Sequence, residues 1–131
     1  MPKIDRILES ALYVADLERS TRFYRTVFGF EVIDAGERLV ALSVLGRQVL
    51  LLFKKGASAS LPRSPHDGDG QLHLAFAVSA DELQSWLAWL PQQGIAIEED
   101  RTWERGGRSL YFRDPDHHLL EVASPGVWSI Y

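Results

Sequence analysis

The chain has 131 residues, of which 46% are hydrophobic and 24% are charged, and its formal net charge is -4. These values are typical of one globular domain with its own hydrophobic core, and they exclude a disordered chain. No apolar run reaches the roughly 20 residues of a membrane span, no basic face indicates nucleic acid, and the N-terminus lacks the apolar core of a signal peptide, so we expect a cytoplasmic protein without membrane or nucleic-acid partners.

The first half of the chain predicts a strand, a helix and three more strands. Alternation over residues 7–14 indicates a strand that buries Leu12 and Val14. Asp16 is a suitable N-cap for the next helix, and Gly29 is a suitable left-handed residue at its end. Short segments rich in β-branched and large apolar residues then predict three strands, at 30–34, 39–45 and 48–53.

A loop and a second copy of the same pattern follow. Residues 55–70 are rich in Gly, Ser, Pro and Asp and have no apolar period, which predicts a loop. The capping box from Ser79 to Glu82 then opens a helix that Gly94 ends. Strands are predicted before and after this helix, at 72–78, at 95–97 and onward, at 109–113 and at 118–123.

The repeated order predicts an α+β fold built from tandem βαβββ modules. The modules cover about residues 5–54 and 71–124, and the loop at 55–70 joins them. We expect a single domain over residues 1–131, in which the two modules form a curled mixed sheet around a cleft.

Four positions related by the repeat give the strongest indication of chemistry. In the first strands Glu9 aligns with His73, and in the last strands Leu51 aligns with Glu121. His73 and Glu121 are each out of phase with large apolar neighbours, so they lie on the less apolar face of their strands. If the two sheets curl around a shared cleft, Glu9, His73 and Glu121 converge in it, whereas Leu51 offers no ligand atom.

One imidazole and two carboxylates would suit a divalent metal ion. Because the chain has no cysteine, nitrogen and oxygen atoms must hold any metal, and such a set suits Mn, Fe, Ni, Co or Zn without choosing among them. The alternative is that these polar side chains on strands are simply solvated. Among the other histidines, His118 is out of phase with Glu121, His117 belongs to a turn, and we expect His66 to be exposed in the loop.

Other polar residues are candidates for substrate contacts. Tyr111 alternates with apolar neighbours and would face the same cleft as the metal, although an amphipathic tyrosine also suits a subunit contact. Tyr13 and Ser109 are further candidates for substrate binding, and Arg101 is a basic candidate.

Three segments together resemble the vicinal oxygen chelate superfamily. They are Tyr13–Ser20 running on to Phe28-Gly29-Phe30, then Leu72–Phe76, and finally Tyr111–Asp116 leading to Glu121. The resemblance covers nearly the whole chain and implies a glyoxalase-like fold. This superfamily includes glyoxalase I, fosfomycin-resistance enzymes, methylmalonyl-CoA epimerase, extradiol dioxygenases and bleomycin-binding proteins, so its motifs identify the fold more closely than the reaction.

The resemblance implies that Glu9, His73 and Glu121 are the metal ligands, and that Glu121 or Glu9 also serves as a base. Leu51 departs from the pattern of glyoxalase I and the epimerase, which have a fourth protein ligand at that position. A site with three ligands is more similar to the fosfomycin-resistance group.

This chain also departs from the fosfomycin-resistance group. That group commonly has Thr where Ala11 stands and Lys where Arg101 stands, which argues against a true fosfomycin enzyme. A further departure is His117, at a turn position where the family usually has Gly; a left-handed histidine there would be modestly strained.

The implied mechanism is Lewis-acid catalysis, in which a metal with open positions binds two neighbouring substrate oxygens and stabilises an oxyanion. Tyr111 and Arg101 would then be partners for an anionic group of a small-molecule substrate. The resemblance also implies a homodimer whose metal site is shared, with Glu9 completing the site of the partner chain. The alternative is a metal-free protein that sequesters a flat aromatic compound or antibiotic; the set of Glu9, His73 and Glu121 favours the enzyme.

Overall fold

The computed structural model describes all 131 residues, and the chain divides into two compact units, Met1–Gly70 and Gln71–Tyr131. The first unit contains β1 (Glu9–Val14), α1 (Leu17–Phe28), β2 (Glu31–Ala35), β3 (Leu39–Val44) and β4 (Gln48–Lys54). The second unit contains β5 (His73–Ala77), α2 (Ala80–Gln92), β6 (Glu99–Thr102), β7 (Arg108–Arg113) and β8 (Leu119–Ala123). The predicted α+β fold with a repeated βαβββ order is confirmed.

Each unit contains one mixed sheet of four strands, with the orders β1-β4-β3-β2 and β5-β8-β7-β6. The first and last strands of each module are parallel neighbours, and the other pairs are antiparallel. Ala11 pairs with Leu51 in the first sheet, and Ala75 pairs with Glu121 in the second. The two sheets therefore have the same register, and Leu51 and Glu121 are structural equivalents, as the sequence alignment of the halves predicts.

Both helices begin at the predicted caps. The side chain of Asp16 accepts a hydrogen bond from the backbone N–H of Arg19, and that of Ser79 accepts one from Glu82. Gly29 ends α1 in the left-handed conformation, with φ of 71°. The capping side chains satisfy N–H groups that the first helical turn would otherwise leave without partners.

The hydrophobic core lies between each helix and its own sheet. In the first module α1 buries Tyr24 and Val27, and in the second α2 buries Leu83 and Leu90. The strands contribute side chains that are fully or almost fully buried, namely Val14, Leu42, Leu50, Leu52, Leu110, Phe112, Leu120 and Val122. Burying each large side chain stabilises the fold by about 1.5–3 kcal/mol. The apolar faces of the strands point to the helices, which leaves the opposite faces for polar residues.

Two predicted strand boundaries are wrong. β1 begins at Glu9 rather than at residue 7, and the second strand of the second module, predicted at 95–97 and onward, begins only at Glu99 and runs to Thr102. Ile95 instead donates its N–H to the carbonyl of Leu90, which closes the end of α2 after left-handed Gly94. β6 is an exposed strand of charged and polar residues, so hydrophobic alternation could not reveal it.

The segment at 55–70 is folded against the first module, and the prediction that His66 is exposed is wrong. The Nδ1 atom of His66 lies 2.7 Å from the hydroxyl oxygen of Tyr13, and its ring meets the ring of Phe53 edge-on at 4.5 Å between centroids. An ion pair between Lys55 and Asp69 ties the two ends of the segment together. Neither helix of the chain has the length and hydrophobicity that crossing a membrane requires.

Candidate metal site

His73 and Glu121 lie side by side on the parallel strands β5 and β8. His73 pairs with Leu119, and Ala75 pairs with Glu121, so the two side chains project from the same face of the sheet. The Nε2 atom of His73 is 3.3 Å from the Oε2 atom of Glu121. Glu121 is only 6% exposed, whereas the side chain of His73 is 51% exposed. The pair thus joins a nearly buried carboxylate to an imidazole that solvent reaches.

The hydrogen bonds of His73 fix which nitrogen faces the carboxylate. Its Nδ1 atom is 3.0 Å from the backbone carbonyl oxygen of Leu119. Because a carbonyl oxygen can only accept, Nδ1 carries the hydrogen, and the Nε2 atom is left to face Glu121. A bare Nε2 and a carboxylate oxygen would both be acceptors, so this contact requires a cation between them, either a proton or a metal ion.

The pair fits a divalent metal ion in both chemistry and spacing. Imidazole nitrogen and carboxylate oxygen bind such ions at about 2.0–2.2 Å, and two neighbouring ligand atoms around one ion are then separated by roughly the distance that Nε2 and Oε2 show. A backbone carbonyl that holds the second ring nitrogen is also typical of metal-binding histidines. No group of three or more His, Asp or Glu side chains within the chain is assembled to hold a metal. The candidate ligands that lie together are therefore two, His73 and Glu121, and both belong to the second module.

Tyr111 completes this face of the second sheet next to the pair. It pairs with Glu121 across β7 and β8, and its ring lies 6.3 Å from the imidazole of His73 with the planes inclined by 28°. Burial and, after it, the negative charge of Glu121 raise the pKa of the Tyr111 phenol above its ordinary value of 10.0. The phenol is therefore neutral at physiological pH, and it donates its hydrogen to the carboxylate of Glu121.

Arg101 and Ser109 lie one step further along the same face. They pair across β6 and β7, and the buried hydroxyl of Ser109 accepts a hydrogen bond of 2.8 Å from the indole N–H of Trp103. The guanidinium carbon of Arg101 lies 4.1 Å from the centre of the Trp103 ring. Stacking occupies the flat face of a guanidinium and leaves its N–H groups, which lie in the plane, for an anion.

The other arginines of the second sheet are already paired. Arg108 binds Asp100 through two hydrogen bonds, and Arg113 forms an ion pair with Glu98. Arg101 has no such carboxylate partner. The second module therefore brings together His73, Glu121, Tyr111, Ser109 and Arg101, which are five of the seven predicted site residues.

The remaining two, Glu9 and Tyr13, share one face of β1 in the first module. Glu9 is exposed at the start of the strand and pairs with Val49. Tyr13 stacks on Phe53 with 5.6 Å between ring centroids, and its hydroxyl meets His66. No local pattern in the loop sequence indicates that His66 packs on this face, because the contact forms only when the loop folds back on the strand.

The turn before β8 holds two histidines with different roles. His117 adopts the left-handed conformation, with φ of 64°, so the strained turn residue expected from the sequence is present. His118 is buried, and its Nδ1 atom accepts a hydrogen bond of 3.0 Å from the backbone N–H of Leu72. The alternation of side chains along the strand correctly predicts that His118 and Glu121 lie on opposite faces of the sheet, but it does not reveal the bond to Leu72.

Comparisons with known proteins agree with this architecture. Residues 3–122 match the family model of the Glyoxalase/Bleomycin resistance protein/Dioxygenase superfamily. The metallothiol transferase FosB of Lysinibacillus sphaericus is 34% identical over 109 residues, which are 82% of this chain and 74% of that protein. Virulence protein STM3117 of Salmonella typhimurium is 31% identical over 124 residues, which are 92% and 84% of the two chains. The crystal structure of lactoylglutathione lyase from Agrobacterium tumefaciens superposes with a TM-score of 0.90 at 33% identity and covers 98% of this chain and 99% of that one.

Proposed function

Because the chain belongs to the glyoxalase/bleomycin resistance protein/dioxygenase superfamily, we propose that it is a divalent-metal-dependent enzyme acting on a small oxygenated or thiol-conjugated metabolite. The observation that carries the proposal is the approach of His73 Nε2 to Glu121 Oε2 at 3.3 Å. Two acceptors of this kind need a proton or a metal ion between them, and both atoms suit a divalent metal. The relatives named metallothiol transferase and lactoylglutathione lyase support thiol-related chemistry.

The metal ligands in this proposal are Glu9, His73 and Glu121. Glu9 occupies the first-strand position that corresponds to His73, since Glu9 pairs with Val49 as His73 pairs with Leu119. We propose a homodimer in which Glu9 of one chain completes the site formed by His73 and Glu121 of its partner. At the fourth related position Leu51 supplies no ligand, which leaves open coordination positions for substrate.

When bound, the metal supplies Lewis-acid stabilisation of negative charge on substrate oxygens. His73 presents Nε2 in a fixed direction because Leu119 holds its Nδ1–H. The carboxylate of Glu121 is shielded from water and is the proposed base, which would accept a proton at one of its oxygen atoms.

The residues beside the ligands are suited to binding an anionic substrate. Arg101 offers the free N–H edge of its stacked guanidinium, and Tyr111, whose phenol hydrogen is bonded to Glu121, is the second proposed partner. A carboxylate or a similar oxyanion on the substrate would accept from the guanidinium and would compete with Glu121 for the phenol hydrogen. Ser109 supports this arrangement, since it anchors the Trp103 ring on which Arg101 lies.

A metal-free binding protein for a flat aromatic compound is the second candidate function. The stacked rings of Tyr13 and Phe53, with the edge of His66 beside them, favour it, because such rings recognise other flat molecules. In that case binding would depend on Tyr13 and would not depend on His73.

Metal titration of chelator-treated protein separates the two candidates. We expect calorimetry to detect one site per chain for at least one of Mn, Fe, Ni, Co and Zn in the wild type, and strongly weakened binding in His73→Ala and Glu121→Gln. His117→Ala is the matched control, because it removes an exposed imidazole near the site and should bind as the wild type does. If none of these metals binds the wild type, the enzyme proposal is refuted.

A further inference from the structure

At the start of β5 the imidazole of His118 accepts a backbone hydrogen bond that a carbonyl of the neighbouring strand would accept in a regular sheet. The N–H of Leu119 donates to the carbonyl of Leu72 at 2.8 Å, and the N–H of Leu72 donates to Nδ1 of His118 at 3.0 Å. His118 therefore extends the pairing of β5 with β8 by one hydrogen bond beyond the last backbone bond. His118 is 0% exposed, so the acceptor lies inside the protein, and a Leu72 N–H that lost it would need another partner.

The position of the His118 ring is set by the tight turn before it. The buried carboxylate of Asp114 accepts the backbone N–H groups of Asp116 and His118, both at 2.9 Å. The N–H of Asp114 in turn donates to the carbonyl of His118 at 3.2 Å. The turn therefore holds the backbone of His118 on both sides, and the imidazole is a fixed acceptor rather than a mobile one.

Leu72 directly precedes His73, the candidate ligand. The orientation of the His73 ring depends on its Nδ1 contact with the carbonyl oxygen of Leu119, the residue directly after His118. Hydrogen bonds therefore join residues 72–73 to residues 118–119 at several points. The N–H of Leu72 bonds to His118, its carbonyl bonds to Leu119, and the ring of His73 bonds to Leu119. Loss of the first bond would loosen the start of the strand from which His73 projects.

We propose that His118 is a positioning residue, which holds the start of β5 against β8 so that His73 keeps its Nδ1 on Leu119 and its Nε2 towards Glu121. The consequence for metal binding rests on the proposed function, whereas the consequence for the orientation of His73 does not. A buried histidine that only fills space would have no effect on the hydrogen bond between His73 and Leu119.

Two amide substitutions distinguish a hydrogen-bonding role of His118 from a space-filling one. In asparagine the amide oxygen is bonded to Cγ, as Nδ1 is in histidine, so His118→Asn retains an acceptor in the same position. His118→Gln carries its polar atoms one carbon further out and loses that acceptor, although it keeps the polarity and approximate size. His117→Ala is the matched control within the same turn, because the backbone carbonyl of His117, and not its ring, accepts the hydrogen bond from Arg113.

The first measurement uses metal-free protein and nitrogen NMR. In the wild type and in His118→Asn we expect the Nδ1–H of His73 to stay hydrogen-bonded to Leu119 and the Leu72 amide to exchange slowly with solvent. In His118→Gln we expect loss of the His73 hydrogen bond and at least tenfold faster exchange at Leu72. The proposal is overturned if His118→Gln keeps the wild-type hydrogen bond and exchange rate, or if His118→Asn loses both to the same degree.

The second measurement is metal affinity, for which zinc is the probe. Loss of a group that orients a metal ligand typically costs 10–100-fold in affinity, so we expect His118→Gln to weaken zinc binding by about tenfold or more and His118→Asn by less than threefold. If the wild type binds no zinc or other divalent metal, the proposed function fails, while the hydrogen-bond and exchange data still decide the role of His118. If zinc binds all variants equally, His118 does not position the ligand.

Discussion

Substitution of Glu121 by glutamine tests separately what the Glu121 charge contributes to the stability of the metal-free protein and what it contributes to metal binding. Glutamine has nearly the same shape as glutamate but carries no charge, and Glu121 is only 6% exposed. In the metal-free protein the loss of this charge should change the free energy of unfolding by no more than about 1 kcal/mol. The lost attraction to His73 is weak because His73 is half exposed, and the removal of a desolvated carboxylate offsets it.

The same substitution should nearly abolish stabilisation by metal. At a free metal concentration of about 100 times the wild-type Kd, binding stabilises the folded state by about 2.7 kcal/mol. If the loss of one charged ligand weakens binding about 100-fold, the variant gains only about 0.4 kcal/mol at the same concentration. For a chain of this size, 1 kcal/mol corresponds to a change in Tm of about 3–5 °C, so we expect a rise of about 10 °C in the wild type and about 1–2 °C in the variant.

Differential scanning calorimetry on chelator-treated protein, with and without added metal, measures both effects. The reasoning is refuted if Glu121→Gln keeps the full metal-dependent rise in Tm. It is also refuted if the metal-free variant is less stable than the wild type by several kcal/mol, since Glu121 would then be a structural acceptor. His117→Ala, measured in parallel, should show the wild-type rise.

Three further predictions concern the dimer, the loop and pH. Mixing Glu9→Gln with His73→Ala chains under conditions of subunit exchange should restore about a quarter of the wild-type metal sites by calorimetry, because each mixed dimer keeps one intact shared site; no recovery would indicate that each site lies within one chain. Gly68→Ala should lower the free energy of unfolding by about 1–3 kcal/mol in urea, since a Cβ there would lie 2.4 Å from an aromatic carbon; an unchanged midpoint would contradict this packing. Hydrogen bonds from Arg108 hold the pKa of Asp100 below its ordinary 3.8, so Asp100→Asn should cost about 0.5 kcal/mol at pH 7. This difference in the free energy of unfolding should disappear as the pH falls from 3.8 through the lowered folded-state pKa of Asp100. Urea unfolding at pH 7 and pH 3 measures it, and a difference that persists in acid would contradict the reasoning.

The sequence was most informative where chemistry follows local periodicity. Alternation alone assigns His73 and Glu121 to the same kind of strand face, and the repeat alone aligns Glu121 with Leu51, as the shared register confirms. The caps at Asp16 and Ser79 were predictable for the same reason, since the interactions of each cap lie within one helical turn.

The sequence was least informative where a contact joins distant segments. β6 lies at an edge, is exposed and carries no apolar pattern, so the nearby Ile95 and Ile97 were wrongly assigned to a strand. The contact of His66 with Tyr13 spans 53 residues, and the bond from Leu72 to His118 spans 46. Periodicity within a short segment cannot identify such pairs, so the supporting roles of His66 and His118 could be recognised only in the structure.

The parallel pairing of β5 with β8 also determines when the candidate metal site can exist during synthesis. His73 opens the second module, whereas Glu121 lies on its last strand, so a nascent chain carries the histidine well before the ribosome has released the carboxylate. A chain interrupted before β8 lacks Glu121, His118 and the carbonyl of Leu119, and it therefore has neither the second ligand nor the groups that orient the first. Formation of the candidate metal site by this pair would thus require a completed second sheet.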